Sequence, residues 1–102
     1  GRYLVAEREG AVVGALLITR EWSDWRNGWF WWIQSVYVHP DHRRQGIFTQ
    51  LCRHLEEQAL AERDVIGIRL YVEGENDGAQ ATYEKLGLTK TTYGVREKYP
   101  LR

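Results

Sequence analysis

The strongest constraint on the fold of this chain is a change of hydrophobic period at Gly46. Before it, residues 29–38 are a run of aromatic and β-branched residues, which favours a strand. After it, apolar residues recur every three or four positions to about Glu62, which predicts an amphipathic helix. Residues 65–72 are mostly apolar and predict a second strand. Because strand, helix and strand in this order fit a right-handed parallel crossover, a βαβ unit is expected at the centre of the fold.

The flanking segments predict further strands and a second helix. Alternation at residues 3–7 and the apolar run at residues 11–20 predict an antiparallel hairpin. A second helix is predicted over residues 77–86, because Gly87 follows where helices often end in the left-handed conformation. Residues 88–99 are expected to return as a final strand pair or hairpin. The full 102 residues are therefore expected to form a single α/β domain with a mixed, mostly antiparallel sheet.

Composition narrows the functional classes. Fourteen Lys and Arg residues balance fourteen Asp and Glu residues, so no excess positive charge drives binding to nucleic acid or an anionic membrane. The longest uncharged runs fall well short of the roughly 20 apolar residues of a membrane span. Cys52 is the only cysteine, and the three histidines show no zinc-ligand spacing. We expect a cytoplasmic protein with no nucleic-acid partner, no membrane partner and no metal.

Five tryptophans lie within eleven residues: Trp22, Trp25, Trp29, Trp31 and Trp32. Strand alternation predicts Trp29 and Trp31 on one face of the sheet and Trp32 on the other. One set can enter the core, and the other can line an acceptor pocket, support a homodimer or pack on further segments. Packing in the core or at an interface is the favoured interpretation.

Residues 36–49 combine a strand end, a basic loop and a helix start. Unpaired backbone N–H groups and the positive end of the helix dipole converge at such a start, and Gly46 permits a close backbone approach. Arg43 and Arg44 add positive charge beside it. The arrangement suits a pyrophosphate group. The alternative is a purely structural turn with two solvated arginines.

This loop resembles the acetyl-CoA loop of the GCN5-related N-acetyltransferase (GNAT) superfamily, which reads Gln or Arg, two residues, Gly, one residue, then Gly or Ala. Arg43 and Gly46 match, whereas Phe48 departs from the last small residue and is expected to point away from the cofactor, into the core. The family's first strand and first two helices have no counterpart here, so we expect that they are truncated or replaced by another segment or subunit. A second family signature follows at its usual distance: Asn76, Ala79, Tyr83 and Leu86-Gly87-Leu88.

The resemblance implies transfer of an acetyl group from acetyl-CoA to a primary amine by direct attack. In the family pattern Tyr83 protonates the departing CoA thiolate. The attacking amine must first lose a proton, because its reference pKa is about 10. The family's glutamate position falls on Trp32, so Glu73 is the preferred candidate base, with Glu21 and Asp24 behind it.

The resemblance also implies the contacts with acetyl-CoA. Main-chain groups of residues 36–38 would meet the pantetheine arm, loop amides the pyrophosphate, and Asn76 the cofactor where the central strands splay. The acceptor is expected to be a small-molecule or peptide amine. The rival hypothesis is a non-catalytic acyl-CoA-binding or protein-interaction module on the same fold. The implied cofactor-binding residues are Val36, Tyr37, Val38, Arg43, Arg44, Gln45, Gly46, Ile47, Phe48, Thr49 and Asn76.

Overall fold

The computed structural model describes residues 1–43, 45–72 and 77–102 of the chain. The predicted α/β class and both predicted helices are confirmed. No helix within the described residues has the length and apolar character that crossing a membrane requires. In chain order the elements are β1 (Arg2–Arg8), β2 (Ala11–Ser23), β3 (Gly28–Val38), a short 3₁₀ turn (Pro40–His42), α1 (Ile47–Leu60), β4 (Val65–Leu70) and α2 (Asp77–Lys85).

The four strands form one mixed sheet in the order β1-β2-β3-β4. β1 pairs with β2 and β2 with β3 in antiparallel fashion, whereas β3 and β4 are parallel. Since α1 connects the two parallel strands, the βαβ unit predicted from the change of period is confirmed. The mostly antiparallel character of the sheet is confirmed as well.

The core lies between α1 and one face of the sheet. Gly14 on β2 allows this close packing, because a Cβ atom there would lie 2.6 Å from Cγ2 of Ile47 at the start of the helix. The first turn of α1 is therefore seated directly on β2. The buried core residues are Val13, Leu16 and Ile18 of β2, Trp31 and Ile33 of β3, and Ile47, Leu51, Cys52, Leu55 and Ala59 of α1.

A β-bulge divides β3 into two halves. Leu17 of β2 pairs with Ser35, but Ile18 pairs with Ile33. Gln34 is therefore the extra, unpaired residue of β3. Before the bulge, Trp31 is only 1% exposed in the core, and Trp32 is half-buried on the opposite face, as strand alternation predicts. Beyond the bulge, β3 continues toward the basic loop. The bulge thus separates a packing segment from the segment that leads to the candidate site.

The predicted final strand pair at residues 88–99 is wrong. The helix before it ends as expected, with Gly87 at φ +82°, but no strand is found beyond Leu70 among the described residues. Residues 89–102 are all exposed. Their polar run at residues 89–92 offers few apolar side chains to bury, so little burial offsets the entropy of ordering a strand.

Candidate functional site

The parallel pairing of β3 with β4 stops before β3 itself ends. Pairing with β4 reaches only Ile33 and Leu70, whereas β3 stays paired with β2 as far as Val38. His39 donates its N–H to β2 at 2.8 Å, and main-chain groups of successive residues alternate between the two edges of a strand. The amides of Val36 and Val38 are therefore directed to the other edge. None of the described residues pairs with that edge in a ladder, so these two amides are open to an extended ligand.

The start of α1 presents backbone donors. Gly46 precedes the helix with φ +75°. The first helical hydrogen bond runs from the N–H of Gln50 to the carbonyl of Gly46 at 3.0 Å. The N–H groups of Ile47, Phe48 and Thr49 consequently have no acceptor within the helix. No side chain in the described part of the chain caps this end. Together with the positive end of the helix dipole, these donors form an anion-binding arrangement.

Side chains tie the basic loop to the sheet. The Gln45 side chain accepts a hydrogen bond from Arg8 of β1 at 2.8 Å and donates one to the Asp41 carbonyl at 3.4 Å. The Nε of Arg43 donates to the Val38 carbonyl at 3.4 Å. The contact with Arg8 joins residues 37 positions apart, so the sequence pattern gave no signal for it. These bonds fix the loop next to the start of α1.

A cleft of about 340 Å³ joins the open edge of β3, the start of α1 and α2. The structure thus brings four of the predicted cofactor residues and the predicted acid, Tyr83, to one place. Tyr37 is exposed, and its side chain does not line this cleft. The lining residues are Val36, Gly46, Phe48 and Thr49, with Ala79, Thr82 and Tyr83 from α2.

Phe48 and Tyr83 connect the two helices through an edge-to-face ring contact, with centroids 5.7 Å apart. Phe48 packs against the core, as predicted, and it also lines the cleft. Its ring fills the space between α1 and α2 instead of entering the core fully. Burial raises the pKa of Tyr83, with a smaller contribution from Cys52. The phenol is therefore protonated at neutral pH and can donate its proton.

Tyr83 also borders a second, larger cavity of about 710 Å³, beside β4. This cavity lies between the sheet, α2 and the segment that follows α2. Tyr83 is thus shared by the cleft and the cavity. The cavity is also lined by Arg26, Phe30, Arg69, Glu84, Lys90 and Tyr93.

A carboxylate contacts the indole N–H of Trp32, the residue that the sequence predicts at the family's glutamate position. Glu21 of β2 accepts hydrogen bonds from the Trp32 indole N–H and from Arg69, each at 2.9 Å. Arg69 and Glu21 also form an ion pair across the sheet. Asp24, another candidate base, is exposed and accepts a hydrogen bond from a neighbouring indole at 2.8 Å. The sequence pointed to these carboxylates but not to the link with Arg69, which depends on strand register.

Three predicted site residues, Arg44, Glu73 and Asn76, lie outside the described residues. Cys52 lies in the core, as its place on the apolar helical face predicts. Burial, and to a lesser extent the charge of Glu56, raises the pKa of its thiol to about 12. A thiol that remains protonated at neutral pH is a poor nucleophile, which agrees with a packing role.

Sequence comparisons link the chain to one family. The sequence profile of the Acetyltransferase (GNAT) family matches residues 1–88. Acetyltransferase SG1711 of Sodalis glossinidius is 38% identical over 84 residues, which cover 82% of this chain and 54% of that protein. The [ribosomal protein bS18]-alanine N-acetyltransferase of Escherichia coli K12 is 37% identical over 65 residues, which cover 64% and 42%.

Solved structures give the same result. A possible acetyltransferase from Clostridium difficile 630 superposes with a TM-score of 0.88 at 43% identity, covering 98% of this chain and 66% of that one. The chain spans about half the length of the curated relatives just described. A family match over residues 1–88, together with the cleft at the start of α1, leads to one conclusion. The chain belongs to the GNAT acetyltransferase family, as the resemblance of its loop predicts.

Proposed function

We propose that this chain carries the acetyl-CoA site of an N-acetyltransferase, which moves an acetyl group to a primary amine by direct attack. The observation that carries the proposal is the cleft where the open edge of β3, the start of α1 and Tyr83 meet. Family membership supports acetyl transfer in general. The roles of individual residues are part of the proposal.

The residues of the cleft fit the chemistry of acetyl-CoA. Its pantetheine arm is an extended chain with amide groups, which can pair with Val36 and Val38 as an added strand would. Its pyrophosphate is an anion, which suits the free N–H groups and dipole at the start of α1. Gly46, with its φ of +75°, borders the cleft at this start without adding a side chain to it.

The proposed chemistry forms one N–C bond and breaks one C–S bond. The neutral amine attacks the thioester carbonyl, and a main-chain N–H on the open edge of β3 stabilises the oxyanion. Tyr83 donates its proton to the departing sulfur. Glu73, the base that the sequence favours, takes the proton of the amine. Glu21 is held by two donors at 2.9 Å and serves to position Trp32 and Arg69.

One observation favours a second candidate, a non-catalytic acyl-CoA-binding module. Among the described residues that line the cleft, none carries a carboxylate that could act as a base. Such a module would bind acetyl-CoA but transfer nothing. Turnover therefore separates the two candidates.

The first experiment is a calorimetric titration with acetyl-CoA, with CoA and ATP as controls. We expect saturable binding of both CoA forms and none of ATP. A folded chain that binds neither CoA form would contradict the proposal. An acetylation assay with a panel of primary amines follows, in which Tyr83→Phe is expected to bind acetyl-CoA normally and turn over more slowly. Binding without turnover in the wild type would favour the non-catalytic module.

A further inference from the structure

The 710 Å³ cavity beside β4 has the size of a small-molecule site. Tyr83 lines both this cavity and the cleft proposed for acetyl-CoA. A primary amine held in the cavity would thus lie next to the residue proposed to protonate the leaving sulfur. The inference below rests on the proposed function and concerns the class of amine that this cavity accepts.

Two guanidinium groups share one aromatic ring in the cavity. The guanidinium carbon of Arg69 lies 3.6 Å from the Phe30 ring centroid, and that of Arg26 lies 5.7 Å from it. Arg69 also lies 5.9 Å from the ring of Tyr93. Aromatic faces attract these cations without neutralising them. The stacking therefore fixes two positive charges at one end of the cavity.

Negative charge in the lining does not balance these cations. Arg26, Arg69 and Lys90 line the cavity together with a single carboxylate, Glu84. Glu21 of β2 reaches across β3 to pair with Arg69 of β4, and it offsets one of the three cations. The side chains described at the cavity consequently leave an excess of positive charge.

Tyr93 lies beside the same two cations. A hydrogen bond from Arg26, and then the charges of Arg26 and Arg69, lower the pKa of its phenol. Tyr93 lines the cavity and is exposed, so the two arginines beside it border a part of the cavity that solvent and ligands can enter. An anion placed there would be stabilised for the same reason as the phenolate.

We infer that the acceptor is a primary amine that also carries an anionic group, which Arg26 and Arg69 receive while the amine faces Tyr83. Guanidinium groups match the geometry of carboxylate and phosphate oxygens, so either group can supply the anion. An amine with a second positive charge, such as a polyamine, is disfavoured by the same field. This assigns the cavity a specificity for carboxylate- or phosphate-bearing amines.

Binding of matched amines tests the inference without requiring turnover. 4-Aminobutyrate, 4-amino-1-butanol and 1,4-diaminobutane share a carbon chain and differ in the charge of the second group. 2-Aminoethyl phosphate and ethanolamine form the corresponding phosphate pair. Dissociation constants are measured by NMR from the arginine Nε–H resonances of the whole chain. We expect an anionic amine to bind at least about tenfold more tightly than its neutral and cationic analogues.

Variants test the assigned residues. Arg26→Gln is expected to weaken binding of the anionic amine by about three- to tenfold. Arg63→Gln is the matched control, because it makes the same change in net charge at an exposed turn that does not line the cavity. Glu84→Gln is expected to strengthen binding, since it removes the carboxylate of the lining.

Equal or tighter binding of the diamine would overturn the inference, as would an Arg26→Gln variant that behaves like Arg63→Gln. These outcomes differ from failure of the proposed function. A chain that binds acetyl-CoA and acetylates the diamine fastest keeps the proposed function and loses this inference. A chain that selects anionic amines but binds no acetyl-CoA retains the cavity's specificity and loses the proposed function.

Discussion

Gly14→Ala gives the sharpest test of how the sheet positions the start of α1. Gly14 lies on β2 beneath the first turn of the helix. A Cβ atom at this position would lie 2.6 Å from Cγ2 of Ile47, 3.2 Å from Cδ1 of Leu51 and 3.2 Å from the Tyr37 carbonyl oxygen. Ordinary contacts begin at 3.4 Å. Ile47 must therefore move by roughly 1 Å, and its neighbours on the helix must give way with it.

Two opposing terms set the size of the effect. Overpacking a close-packed core costs about 1–3 kcal/mol. Alanine recovers about 0.5–1 kcal/mol relative to glycine within a strand, because the unfolded chain has less entropy to lose. With the middle of each range, the expected result is a net loss of about 1 kcal/mol in the free energy of unfolding. Acetyl-CoA affinity should fall as well, since the displaced Ile47 carries one of the free N–H groups.

Urea unfolding followed by tryptophan fluorescence measures the change in stability. With a denaturant slope of about 1–3 kcal/mol per molar, the midpoint should shift down by a few tenths of a molar to about 1 M. Gly94→Ala is the matched control, because a Cβ atom there meets nothing within 4 Å. The packing argument is refuted if Gly14→Ala is as stable as the wild type and binds acetyl-CoA equally well.

Three further predictions address the acid, the buried thiol and the loop. Tyr83→Phe should lower turnover by about 100-fold or more with acetyl-CoA binding retained. Equal turnover rates in the wild type and the variant would remove Tyr83 from the mechanism. Because the pKa of Tyr83 is raised, wild-type turnover should persist to a higher pH than an ordinary tyrosine allows. Cys52 should make the wild type lose stability as the pH rises from 9.0 to about 12, since the unfolded thiol loses its proton first. The contribution of Cys52 to the slope should approach about 1.4 kcal/mol per pH unit and be absent in Cys52→Ala, where the contribution of Tyr83, whose pKa is also raised, remains. An equal pH dependence of stability in the two proteins would contradict this. Gly46→Ala should lower the free energy of unfolding by about 1–2 kcal/mol because of the positive φ alone, since nothing lies near the added Cβ. A variant as stable as the wild type would show that the turn adapts.

Local patterns in the sequence were enough to predict the central part of the fold. The apolar repeat of α1 and the β-branched run of β3 each report a single element, and each was found where its period indicates. The bulge at Gln34 was not predicted, because one extra residue in a strand becomes visible only when its partner is known. The final strand pair failed because strand formation depends on a neighbouring edge, which the local pattern does not contain.

In the candidate site, too, local features could be predicted from the sequence and features that depend on distant residues could not. The free donors at the start of α1 follow from a short local motif, and the structure places Gly46, Phe48 and Thr49 in one cleft with Tyr83. The link from Glu21 to Arg69 spans 48 positions, and it depends on the register of three strands. The charge of the larger cavity likewise comes from residues scattered along the chain, so composition with its even balance of charges gave no sign of it.

The early end of β3–β4 pairing also bears on how the protein behaves in storage. An exposed strand edge can accept a strand from another molecule, which is a common route to swapped dimers and aggregates. A pantetheine chain lying along Val36 and Val38 would occupy the same donors and acceptors. Bound acetyl-CoA would then block this edge and reduce self-association. The rate at which concentrated samples become turbid should fall as occupancy by either CoA form rises, whether or not any amine is present.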